Sequence, residues 1–115
     1  MAKDDYYTIV CKILVFLYKK LKGKEKRSTI EYIAPLTKDF PIEESYMEYV
    51  IEQMVDQGFV DKVNIIRGWG GDIVRMDYEA MRITPAGIDH LRDNDKMRRV
   101  AETLIEAAPI ASLFI

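Results

Sequence analysis

Apolar positions recur at helical spacing from the start of the chain. Tyr6, Val10, Ile13, Leu14, Leu17 and Leu21 form one stripe, and Tyr7, Cys11, Val15 and Tyr18 form a second. The spacing predicts a first helix running to about residue 21, with Asp4 or Asp5 as its cap. Apolar on more than one face, it needs cover on two sides, from the chain's own C-terminus or from another subunit. A basic connector follows, with Gly23 as the helix stop. Ser28-Thr29-Ile30-Glu31 then reads as a capping box opening a short second helix. Pro35 and Pro41 are expected to bracket its end and the turn beyond it.

Met47, Val50, Ile51 and Met54 mark the buried stripe of a third helix over residues 43–57. Gly58 suits the left-handed residue just past a helix end, with Phe59 folding back onto the last turn. Residues 60–66 are rich in β-branched side chains and predict a strand. Gly68-Trp69-Gly70-Gly71-Asp72 reads as a loop, residues 73–78 as the returning strand, and residues 81–83 as its extension. Thr84-Pro85 starts another helix, since threonine caps and proline is tolerated at the first helical position. Asn94-Asp95 breaks and recaps the chain, and a last helix runs to about residue 107, before Pro109 and an apolar tail. The expected fold is therefore α+β and mainly helical: a single winged helix-turn-helix domain over residues 1–115. It has three helices, a β-hairpin wing and one or two C-terminal helices. The third helix takes the recognition position.

Gln57-Gly58-Phe59-Val60, a hairpin, and then Ile83-Thr84-Pro85-Ala86-Gly87-Ile88-Asp89-His90-Leu91-Arg92-Asp93-Asn94 resemble the YjcQ-like family of small winged-helix proteins from bacteria and their phages. The opening from Lys3-Asp4-Asp5-Tyr6 through Leu17-Tyr18 is similar as well, as are Phe40-Pro41-Ile42 and the helix after it, so the resemblance covers nearly the whole chain. It implies the winged-helix fold and a phage or prophage setting. It carries over no active-site residues.

The total charge does not point to nucleic acid: the net value is −2, so any basic surface is local. Lys19, Lys20, Lys22, Lys24, Lys26 and Arg27 supply such a surface, opposed only by Glu25. In a winged helix this connector can lie beside the DNA backbone, and Lys22, Lys24, Lys26 and Arg27 are candidate phosphate contacts; the alternative is a solvated loop. Arg67, Trp69 and Arg75 are the corresponding candidates on the wing. Trp69 is expected to fold back over its own hairpin, the exposed alternative being an indole that stacks on a base or enters a partner's pocket.

The third helix argues the other way. From Ile42 to Asp61 there is no Lys or Arg, while Glu43, Glu44, Glu48, Glu52, Asp56 and Asp61 are acidic. In a major groove these carboxylates would oppose phosphate oxygens and release no counterions. The face is either solvated or a docking surface for a protein, with Glu44, Glu48, Tyr49 and Glu52 as candidate contacts. Two functions stay open. One is a DNA-associated prophage or mobile-element regulator touching the backbone through connector and wing. The other is a protein-interaction or phage structural module.

Other chemistry is sparse. Cys11 is the lone cysteine and reads as a buried hydrophobe in a reducing compartment. His90, the lone histidine, lies off the Ile88/Leu91 stripe and is expected to be exposed. No metal-ligand spacing and no nucleophile-plus-base set is present, so neither a cofactor nor an enzymatic activity is expected. The acidic start is unlike a signal peptide, and the apolar stretch of residues 9–17 is too short to span a bilayer. A cytoplasmic protein with no membrane contact is expected. The apolar tail and the first helix suggest a homodimer.

Overall fold

The computed structural model describes residues 6–38 and 42–104. Its elements are α1 (Tyr6–Leu21), α2 (Thr29–Lys38), α3 (Glu44–Asp56), β1 (Val60–Asp61), β2 (Asn64–Arg67), β3 (Ile73–Asp77), β4 (Arg82–Ile83), α4 (Pro85–Asp93) and α5 (Asp95–Thr103). The fold is α+β and mainly helical, with small antiparallel sheets. The cap expected at Asp4 or Asp5, the turn at Pro41 and the apolar tail lie outside the described residues.

α1 is the centre of the core. Ile9, Val10, Ile13, Leu14, Val15 and Leu17 are all buried, together with Cys11, Phe16 and Tyr18. Its two stripes meet different covers. Met47, Val50, Ile51 and Met54 of α3 join one core with it, along with Ile33, Leu36, Val60 and Ile83. The second stripe is covered within the same chain by α4 and α5, where the Cys11 thiol lies 3.8 Å from the carbonyl oxygen of Met97. Leu21, expected in the main stripe, is instead exposed.

The helix ends follow local chemistry. Ser28 and Glu31 form the reciprocal capping box: the Ser28 N–H donates to Glu31 Oε1 at 2.7 Å, and the Glu31 N–H donates to Ser28 Oγ at 3.1 Å. Pro35 does not end α2 as expected but sits inside it, on the exposed side. The carbonyl it deprives of a partner, that of Glu31, belongs to an exposed residue, where water can serve instead. Past α3, Gly58 takes a φ of +78°. The Gly58 N–H donates to Val55 O at 3.0 Å and the Phe59 N–H to Met54 O at 2.9 Å, closing the helix with paired reverse bonds. α5 begins on the Asn94 side chain, which accepts from the N–H groups of Lys96 and Met97 at 2.9 and 3.2 Å. It ends at Thr103, short of the expected residue 107.

The strand expected over residues 60–66 is interrupted. Lys62 adopts a φ of +63°, a left-handed conformation unfavourable for a side chain with a β-carbon. The pairing therefore divides. β1 pairs with β4, Val60 opposite Ile83 and Asp61 opposite Arg82. β2 pairs with β3, Ile65 opposite Met76 and Ile66 opposite Arg75, with a bulge near the tip. The first pair sits in the core and the second projects from it.

The two halves are tied at Thr84. Its N–H donates to Phe59 O at 3.0 Å, its hydroxyl donates to Gly58 O, and the same oxygen accepts from Gly87 N–H at 3.1 Å. Gly87 is required by this closeness: a β-carbon there would lie 2.3 Å from Phe59 O. The Thr-x-x-Gly sequence is thus one cap serving two elements.

Candidate interaction surface

The connector is more ordered than a solvated basic loop. The Lys20 ammonium donates to the Arg27 carbonyl at 2.9 Å. The Arg27 guanidinium is held by Glu25 through Nε at 2.8 Å and Nη2 at 2.9 Å. It also lies 5.2 Å from the Tyr32 ring centre and 5.9 Å from that of Phe16, and these two rings stack 4.3 Å apart. Hydrogen bonding from Arg27 pulls the Glu25 carboxyl down from its usual 4.5 to about 2. Lys22, Lys24 and Lys26 remain exposed, with the Lys22 ammonium 5.6 Å from the Tyr18 ring. Of the four candidate phosphate contacts on the connector, Arg27 is committed inside the chain and the three lysines are not.

The β2–β3 hairpin divides its candidates in the same way. Arg67 bonds Glu52 of α3 and donates to Gly71 O at 3.0 Å, which joins hairpin to helix. Arg75 is exposed on β3. Trp69 does not fold back over the hairpin as expected: it is fully exposed. The loop explains this. The Gly68 N–H donates to Asp72 O at 2.8 Å, the Gly71 N–H donates to Gly68 O at 3.1 Å, and Gly71 has a φ of +85°. That tight turn leaves Trp69 at its outer corner. Ile66 and Val74 are exposed as well, so the hairpin presents these two apolar side chains, Trp69 and Arg75 to solvent.

The outer face of α3 carries Glu44 and Tyr49, both exposed, with Glu48 and Glu52 half-buried beside them. Tyr49 stacks with Tyr46 at 6.4 Å and lies 6.5 Å from Tyr6 of α1. Tyr6 is joined to Tyr7 edge-to-face at 5.2 Å, and its hydroxyl accepts from Gln57 Nε2 at 3.1 Å. Burial, then the charges of Glu44, Glu48 and Glu79, raise the Tyr78 phenol above its usual value, so the helix and the β3–β4 connection share one negative field. Glu79 also accepts from the Ile30 N–H at 3.0 Å, completing the first turn of α2.

Sequence reasoning did not single out Glu79, because its partner is 49 positions away. Nor did it find the tyrosine row, although the i, i+3 spacing of Tyr46 and Tyr49 was visible. His90, expected to be exposed, is half-buried and stacks on Phe59 at 4.1 Å. Burial lowers its pKa from the usual 6.5.

Among the described residues, no group of three or more His, Cys, Asp or Glu side chains is placed to hold a metal ion, and no helix is long and apolar enough to cross a membrane. No curated protein and no solved structure matches the chain. The family described as YjcQ protein matches residues 11–108. That span runs from the buried face of α1 past the end of α5 and includes the capping box, the Gly58 turn and the Thr84–Gly87 cap, so the chain belongs to the YjcQ family.

Proposed function

We propose that the chain is a winged helix used as a protein-interaction module, with α2 and α3 as the turn-linked helix pair and the β2–β3 hairpin as the wing. Its contact surface is the outer face of α3 together with the hairpin tip. The observation that carries this reading is the bond from Arg67 to Glu52. It commits the positive charge next to the hairpin turn to an α3 carboxylate, while Trp69, Ile66 and Val74 face solvent. A fully exposed indole on a hairpin that also exposes Ile66 and Val74 is the kind of anchor that fills a partner's pocket. The acidic helix beside it repels phosphate.

Contact with a DNA backbone is the second reading, and Lys22, Lys24 and Lys26 favour it: all three are exposed at the end of α1. A cytoplasmic prophage or mobile-element setting goes with either reading, and the buried Cys11, the chain's one cysteine, accords with a reducing compartment. A homodimer through α1 has less surface than its sequence suggested. α4 and α5 cover the second stripe, leaving Tyr7 and Leu21 as the exposed large apolar residues of α1.

Binding to random duplex DNA across a salt series separates the readings. The interaction module shows no binding at ~50 mM salt. Steeply salt-dependent binding, lost when Lys22, Lys24 and Lys26 become glutamate, would establish the backbone contact instead. In parallel, a captured partner should be lost on Trp69→Ala or Glu48→Lys and retained in the lysine-reversed variant.

A further inference from the structure

We propose that the exposed face of α3, centred on Tyr49, is a docking site for an arginine-bearing segment of a partner protein. The proposal rests on the interaction reading and names the chemistry of the partner. At the helical repeat, Ser45, Glu52 and Asp56 lie one or two turns from Tyr49 on the same side, opposite the buried Met47, Val50, Ile51 and Met54. Tyr49 is 50% exposed and its ring is nearly parallel to that of Tyr46, at an angle of 10°. The face therefore offers paired aromatic rings beside carboxylates.

The same molecule shows what such a combination holds. Arg27 lies against the stacked Phe16 and Tyr32 rings and is gripped at its edge by Glu25. Rings attract the guanidinium face while a carboxylate takes its N–H groups. On α3 the parts recur, but the described cation that reaches this face is Arg67, bound to Glu52 at one border. Glu48 and Asp56 pair with no cation among the described residues.

Charge complementarity selects a basic occupant, since no Lys or Arg occurs from Ile42 to Asp61. The rings select arginine over lysine, because a planar guanidinium stacks where a hydrated ammonium does not. The basic connector of a second copy is a poorer occupant: it offers lysines, and its one arginine is already held by Glu25.

The test is titration of the full chain with an oligoarginine peptide and an oligolysine peptide of equal length, followed by calorimetry. The arginine peptide should bind more tightly. Tyr49→Ala should weaken it about two- to fivefold while Tyr49→Phe keeps it. Glu48→Gln with Asp56→Asn should weaken both peptides. Far-UV circular dichroism confirms that each variant is folded. Equal affinity for the two peptides, or no change in Tyr49→Ala, would overturn the site. Self-association of the free chain that Tyr49→Ala abolishes would make a second copy the occupant and overturn the proposed partner. Peptide failure alongside partner capture that still needs Trp69 would remove this site and leave the interaction module standing.

Discussion

Arg67 on β2 is bonded to Glu52 on α3, so the hairpin is fastened to the helix by an ion pair whose side chains are 44% and 22% exposed. A pair of that exposure is screened, and a double-mutant cycle of Arg67→Ala with Glu52→Ala, read by urea unfolding, should give a coupling of about 0.5–1 kcal/mol. A coupling indistinguishable from zero would mean that this ion pair does not fasten the hairpin to the helix in solution. The acidic surface of α3 would then be larger by one free carboxylate.

Gly87→Ala should be among the most damaging substitutions of a small residue in the chain. The added carbon would meet the Phe59 carbonyl at 2.3 Å and the Ile83 side chain at 2.8 Å, and the carbonyl cannot rotate away because Thr84 N–H binds it. The expected loss is about 2–3 kcal/mol, measured by chemical denaturation. Unchanged stability would refute the close packing of α4 on the turn after α3.

His90 makes stability depend on pH. Its folded pKa is lowered by burial, so the unfolded chain binds the proton more readily. The stabilisation is complete above the ordinary value of 6.5 and declines as pH falls below it toward the folded value. His90→Phe keeps the stack on Phe59 and should remove this slope. A slope that survives the substitution would belong to another group. Glu25, lowered to about 2 by Arg27, acts further down, its contribution being lost from about pH 4.5 toward 2.

Thr29 is fully buried, and its hydroxyl has no hydrogen-bond partner among the described residues. Thr29→Val replaces that hydroxyl with a methyl group of similar shape. Relief of the desolvation cost should raise stability by about 1 kcal/mol, visible as a higher thermal midpoint. Destabilisation would show that the hydroxyl finds a partner in solution.

Trp69 is the only tryptophan, so intrinsic fluorescence reports on it alone. Fully exposed, it should emit as a hydrated indole and be quenched freely by iodide. Trp69→Ala should leave the unfolding midpoint unchanged. A blue-shifted, protected emission in the isolated chain would mean that the hairpin tip is already covered.

The sequence by itself determined the local events. Each helix start and stop that the structure shares with it rests on groups close along the chain: Ser28 with Glu31, Gly58 with Val55 and Met54, Thr84 with Gly87, Asn94 with Met97. Caps of this kind satisfy backbone groups one turn away, so residue type and spacing suffice to read them. The acidic face of α3 was legible for the same reason. Tertiary structure decided everything that depends on partners distant in sequence. It covered the second stripe of α1 with α5 and buried His90 against Phe59. It also sorted the candidate cations, seating Arg27 on the Phe16 and Tyr32 rings and committing Arg67 to a carboxylate across the fold, and leaving Lys22, Lys24, Lys26 and Arg75 exposed. Charge is a property of the residue. Whether it is available to a partner depends on which opposite charge the folded chain brings beside it, and for Arg67 that is settled only when β2 reaches α3.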